Sequence, residues 1–152
     1  MLIYQLMFVI FSAADLYIMK HFDSFVKNNP DISILRVYSH ERRLSTVHPQ
    51  VKNYCLLSKD KLSIILPVRE NILSHHIIIT TLSTSISLSR IRDLKGFFSH
   101  IFIDEAAQAL ECEAIMPLSF AIDSTCIVLA GDHMQLSPKI YSQEARHQMF
   151  HR

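Results

Sequence analysis

The side chains best suited to chemistry in this chain lie in two short stretches. "HIFIDEAAQALECE" (100–113) runs from an apolar triplet, Ile101, Phe102 and Ile103, into two adjacent acids, Asp104 and Glu105. A carboxylate at a strand end can hold Mg²⁺ directly or through water, because Mg²⁺ takes oxygen ligands and meets phosphates through one or two carboxylates. Successive strand side chains alternate in direction, so Glu105 is expected to point elsewhere, where it can orient and deprotonate an attacking water. The second stretch, "VLAGDHMQLSP" (128–138), adds Gly131 at a sharp turn, another acid, Asp132, and a neutral amide, Gln135. A glutamine there can hydrogen-bond a terminal phosphate without adding charge and so report whether that phosphate is present. Twenty-eight residues separate Asp104 from Asp132, a span that suits one crossover helix between adjacent parallel strands. An apolar run ending in two acids is by itself more often a solvated strand end; the second stretch favours nucleotide chemistry.

The elements that must position these groups are legible in the patterning. "MLIYQLMFVIF" (1–11) is apolar apart from Gln5. It is too short for a membrane span, which needs about 20 residues, and no Lys or Arg precedes it as in a signal peptide. A buried strand leading into a helix is the favoured reading. Ser12 starts that helix, with Asp15 three residues on able to reach back as in a capping box. Leu16, Met19, Phe22 and Val26 recur at helical spacing until "NNP" (28–30). "ISILRVY" (32–38) reads as a strand and "SHERRLSTVHPQ" (39–50) as irregular. Pro67 opens a short helix to about Ser74 with Glu70 in its first turn. "HIIITTL" (76–82), "HIFID" (100–104) and "CIVLAGD" (126–132) are strands. A short helix or turn over 83–96, between the first two, is expected to end at Gly96, and the helix after Glu105 to carry Pro117 near its first turn. Uninterrupted apolar strands alternating with helices predict an α/β fold: a mostly parallel sheet of about five strands with helices on both faces. Strand C-termini then share one edge, where ligands bind.

Composition narrows the function classes. The chain has 152 residues, one domain's worth, with 49% apolar and 19% charged residues, enough to bury a core. The net charge of +1 gives no general pull on nucleic acid, so any such binding must be local. Three scattered cysteines argue against a disulfide framework or a cysteine zinc site and fit a reducing compartment. His147 and His151 stand at ligand spacing, in a tail where solvation is the simpler reading. There are only two glycines, Gly96 and Gly131, where roughly ten would be ordinary. Neither G-x-x-x-x-G-K-[ST] nor G-x-G-x-x-G occurs, so these residues include no glycine loop to wrap a phosphate.

"DEAAQALECEAIMPL" followed by "IVLAGDHMQLSP" resembles motifs II and III of superfamily 1 RNA helicases of the regulator-of-nonsense-transcripts group. "SAADLYI" (12–18), "LRVY" (35–38), "TVHP" (46–49) and "GFFSHIFIDEAAQ" (96–108) extend the resemblance, which covers about residues 12–146. It implies a partial RecA-like (P-loop NTPase) domain 1 over 12–146, preceded by an apolar segment at 1–11 (a strand or a gene-model boundary) and followed by a truncated tail at 147–152. It implies ATP and Mg²⁺ as cofactors of the complete protein, RNA as partner together with mRNA decay or silencing proteins, no membrane, and a cytoplasmic location. Carried over residue by residue, Asp104 coordinates Mg²⁺, Glu105 activates water and Gln135 contacts the terminal phosphate. Gly131 and Asp132 shape that loop, and Gln108 ties motif II to the RNA side or to motif III. Thr80, Thr81 and Thr84 in "TTLSTS" donate hydroxyls to the nucleic-acid backbone, as Ser12 does in an upstream motif. Strand propensity and helix capping account for the threonines equally well on physical grounds. The family's phosphate loop with its lysine and the second RecA-like domain with its arginines are not in the sequence. The chain is therefore expected to be a helicase fragment, inactive alone. The alternative is a non-catalytic remnant acting, if at all, as an RNA- or protein-interaction module.

Overall fold

A computed structural model describes residues 6–10 (as backbone), 15, 21–132 and 134. Five strands form one sheet: β1 (Leu6–Ile10), β2 (Ile34–Arg36), β3 (Ile77–Thr80), β4 (His100–Asp104) and β5 (Cys126–Leu129). Their order is β2-β3-β1-β4-β5, and all four pairings are parallel. The register aligns the strand ends: Ile10 lies opposite Asp104, Val9 opposite both Thr80 and Ile103, and Ile103 opposite Leu129. Asp104 therefore stands on the same edge as the C-terminal ends of the other four strands, as expected.

The apolar runs explain why the middle of the sheet is stable. β3 is buried along its whole length, and its side chains alternate between two cores. Ile77 and Ile79 join Ile34, Val47, Val51 and Ile64 on one face. Ile78 joins Leu35, Ile72, Leu82, Leu88, Ile101 and Ile103 on the other. Each such side chain contributes about 1.5–3 kcal/mol on burial. Short helices supply the covering residues. Val26 comes from α1 (Asp23–Asn28) and Val51 from α2 (Pro49–Lys52), both on the first face. Ile72 of α3 (Arg69–Leu73) with Leu82 and Leu88 of α4 (Leu82–Leu88) cover the second, where Leu118 of α5 (Glu111–Leu118) also packs.

Several local expectations are corrected. The strand expected over 76–82 stops at Thr80, because the Thr81 hydroxyl accepts the amide of Thr84 and starts α4. That helix ends at Leu88, well before Gly96. Gly96 instead serves a turn: its φ of +77° suits glycine, and its amide donates to the Phe120 carbonyl at 2.8 Å. Pro117 lies in the last turn of α5 rather than the first, since Glu111 and Glu113 already occupy its N-terminal turn. Pro117 has no amide to donate to the Glu113 carbonyl, so the last turn of α5 lacks one helical bond. Both faces are covered over β2 and β3, but not everywhere. All four residues of β5 are exposed, Ile127 at 44% and Leu129 at 61%. On β4, His100 and Phe102 stack on each other on a half-exposed face.

At the end of β2, Arg36 is only 4% exposed. Its Nε donates to Asp15 Oδ1 at 3.1 Å and its Nη1 to the Val37 carbonyl at 2.7 Å, while the guanidinium sits 4.1 Å over the Tyr38 ring. Asp15 thus pairs with a buried arginine. Ser12, its expected partner, lies outside the described residues. Removing one member of such a buried pair generally costs about 3–5 kcal/mol. Burial, reinforced by Asp15 beside it, holds the Tyr38 hydroxyl well above the ordinary phenol range.

Two predictions follow from this packing. Burial pushes the Cys55 thiol up to about 11, against the opposing charge of Arg36, and its Sγ donates to the Val51 carbonyl at 3.2 Å. Only the thiolate reacts, so at pH 8 a maleimide should modify the exposed Cys112 and Cys126 about 100-fold faster than Cys55. Mass spectrometry of the labelled chain reads this, and equal rates would show the first of the two cores, around Val51 and Ile79, to be open. The exposed β5 also predicts concentration-dependent self-association of the chain. Leu129→Lys should reduce it in sedimentation velocity, and an unchanged distribution would place the contact elsewhere.

Candidate functional site

The site grows from the end of β4. Asp104 is its last residue and half-exposed, and its Oδ1 accepts the amide of Glu105 at 3.0 Å. Glu105 then leaves the strand in the left-handed conformation, φ 55° and ψ 36°. For a residue with a Cβ this costs about 1–2 kcal/mol and persists only where the surroundings impose it. The direction of the Glu105 side chain is therefore set by this reversal, not by the strand alternation expected from sequence. A 3₁₀ turn follows over Ala106–Gln108, with the Gln108 amide donating to the Glu105 carbonyl at 2.9 Å. The Gln108 side chain folds back as well: Nε2 donates to Glu105 Oε2 at 2.8 Å.

What imposes the turn is the end of β5. The Ala130 amide donates to the Ile103 carbonyl at 2.9 Å, and the Ala106 amide donates to the Ala130 carbonyl at 2.8 Å. These bonds carry the strand pairing one step past Asp104 and staple the two loops together. Gly131 comes next. A Cβ built there would stand 3.0 Å from the backbone nitrogens of both Ala106 and Ala107. Its φ is not among the positive values. Glycine is thus required by close backbone approach, where a sharp turn was expected. Ala106 and Ala130, which act here through their backbones, were missed in the sequence reading; small side chains at both positions are the only signal.

The remaining candidates fall into three groups. Asp132 is exposed, and its Oδ1 accepts the Met134 amide at 2.9 Å, closing a local turn just past the staple. Gln135 and Ser12 lie outside the described residues. Thr80, Thr81 and Thr84 stand at the end of β3 on the same sheet edge. Thr80 is 0% exposed and donates to the Thr81 carbonyl at 3.3 Å, so burial removes it from the surface contacts expected of it. The Thr81 hydroxyl donates to Thr84 Oγ1 at 2.8 Å and accepts the Thr84 amide. The capping role is met by these two, which remain half-buried at the rim.

This donor set suits one mode of metal binding. Asp104 and Glu105 each have one oxygen engaged by a local donor, and no bond to Asp104 Oδ2 or Glu105 Oε1 is formed among the described residues. Among the described residues no cluster of three or more His, Cys, Asp or Glu could build an all-protein cage. Oxygen donors in this number fit Mg²⁺ held by a carboxylate, water and phosphate. The shallow depression lined by Lys95, Ala121, Ile122, Asp123 and Ser124 precedes β4 and β5 in the chain and so belongs to the opposite edge of the sheet.

Known proteins share this arrangement of sequence. The family profile described as "AAA domain" matches residues 57–143. The mouse protein "Probable helicase with zinc finger domain" is 50% identical over 141 residues, covering 92% of this chain and 7% of its own length. Mouse "3'-5' exoribonuclease HELZ2" is 42% identical over 149 residues, covering 93% of this chain and 5% of its own. Mouse "RNA helicase Mov10l1" is 38% identical over 135 residues, covering 88% of this chain and 10% of its own. The chain thus spans a tenth or less of the length of these relatives.

The fit around Gly131 is testable directly. Gly131→Ala must displace the 106–107 backbone, and overpacking of this kind costs about 1–3 kcal/mol. Urea unfolding of the two chains should show that loss. An unchanged midpoint would mean that the two loops can separate freely.

Proposed function

The chain belongs to the AAA domain family, within the superfamily 1 helicases related to the regulators of nonsense transcripts, and on that premise we propose that it contributes the nucleotide-hydrolysis edge to ATP hydrolysis coupled to RNA binding and unwinding or remodelling. The observation that carries the reading is the staple: two acids at the end of β4 are locked to the loop after β5 by the Ala106–Ala130 bond and the Gly131 approach. RNA as partner draws its support from the relative named an RNA helicase. Protein partners from mRNA decay or silencing, and a cytoplasmic workplace, complete the proposal.

In this reading Asp104 holds Mg²⁺ through the oxygen not engaged by the Glu105 amide. Bound there, Mg²⁺ neutralises charge on the terminal phosphates. Glu105 keeps one carboxylate oxygen on Gln108 and offers the other, Oε1, to a water as general base. Its left-handed backbone turns it out of the strand direction toward the loop that follows β5. Gln135 contacts the terminal phosphate, and Gly131 and Asp132 shape the loop that carries it. Thr81 and Thr84, at the same edge, and Ser12 donate to the nucleic-acid backbone, whose phosphate contacts set position more than sequence.

No G-x-x-x-x-G-K-[ST] loop is present in these 152 residues, and an arginine finger elsewhere in such engines is worth about 10³–10⁵ in rate. The isolated chain should therefore not hydrolyse ATP. In the full-length protein containing this segment, Glu105→Gln should abolish RNA-stimulated phosphate release while ATP binding persists. Retained turnover in that variant would remove Glu105 from its role. RNA-stimulated turnover by the isolated chain that disappears with the same substitution would show the segment to be sufficient.

A further inference from the structure

We propose that Gln108 is the positioning residue of the hydrolytic carboxylate, holding the Glu105 side chain in one rotamer with Oε1 left to receive the proton from water. The inference rests on the hydrolase reading and deepens it. Glu105 carries an unusual burden, since its backbone is in the left-handed region directly after the strand end. A carboxylate on such a turn samples several rotamers unless something binds it. The Gln108 amide is the group that does so, with Nε2 2.8 Å from Oε2.

The chemistry of the pair settles its orientation. An ionised carboxylate only accepts, so the amide nitrogen and not its oxygen must face it. A neutral donor restrains the carboxylate without cancelling its charge, as an arginine or lysine would do. The base therefore loses its rotational freedom while its charge is left in place. Gln108 is itself restrained, because its own amide donates to the Glu105 carbonyl at 2.9 Å. Backbone and side-chain bonds between the same two residues form a small closed ring, and the Ala106–Ala130 bond anchors that ring to β5. Gln108 reaches the reacting water through Glu105, so its effect belongs in the chemical step and not in nucleotide affinity.

The test is steady-state ATP hydrolysis with saturating RNA, in the full-length protein containing this segment. Gln108→Met keeps the length and loses the donor. Gln108→Asn keeps the amide one methylene short. Gln108→His restores a donor at similar reach. Met and Asn should lower kcat by at least ~10-fold with KM for ATP within about twofold, and His should recover kcat to within about threefold of the parent. Glu105→Gln is run in parallel. If it abolishes turnover while Met and Asn leave kcat unchanged, the role of Gln108 is overturned and the hydrolase reading stands. If Glu105→Gln itself retains turnover, the reading beneath the inference fails. Equal losses in all three Gln108 variants with a raised KM would mark a merely structural residue and overturn the proposal.

Discussion

The candidate site depends on one close backbone contact, between the loop after β5 and the turn after β4. The Ala106 amide reaches the Ala130 carbonyl at 2.8 Å, and Gly131 sits where a Cβ would press on two backbone nitrogens at 3.0 Å. Backbone atoms cannot rotate away as a side chain can, so this contact sets the separation of the two loops. The left-handed Glu105 follows from it. The chain must reverse directly after Asp104 to bring its amides to β5, and the cost of that conformation is offset by the bonds it makes possible. Strand pairing, turn and carboxylate placement therefore form one unit, and a change in any of the three is felt by the other two.

The rest of the molecule serves to hold that unit at a defined edge. β3 and β1 lie at the centre of the sheet, and the two apolar clusters that pack against β2 and β3 make that half the rigid one. β4 inherits its position from pairing with β1 over five residues, ending at the Ile10–Asp104 register. β5 is different in kind. It is well registered on β4 yet exposed on every residue, so its placement relies on hydrogen bonds and on the staple more than on burial. The two candidate loops are joined firmly to each other, while the strand beneath one of them lacks a covering layer among the described residues.

A second constraint lies at the other end of the same edge. Arg36 is buried at the end of β2 and met by Asp15, the carbonyl of Val37 and the ring of Tyr38. A guanidinium taken from water needs all of these partners, because an unmatched buried charge costs several kcal/mol. The pairing ties the segment after β1 to the end of β2 across the intervening β3. It gives Asp15 a partner 21 residues away in sequence.

Much of this was legible in the chain. Continuous apolar runs such as "HIIIT" identified the parallel strands because a strand buried on both faces has no polar alternation to show. The spacing between Asp104 and Asp132 indicated adjacent strands for the same reason that one crossover helix needs about that length. Residue types at Asp104, Glu105 and Gly131 pointed to the chemistry. What the chain alone could not show were relations that depend on a partner distant in sequence. Gly131 is needed for the backbone of Ala106 and Ala107, Asp15 meets Arg36, and Thr80 is taken inside the sheet at the end of β3. Pro117 and Gly96 took positions set by where neighbouring elements stop. Local pattern determines what a segment can become and which side chains carry chemistry. Close approach, burial and the direction of Glu105 are properties of two segments at once, and only the folded chain decides them.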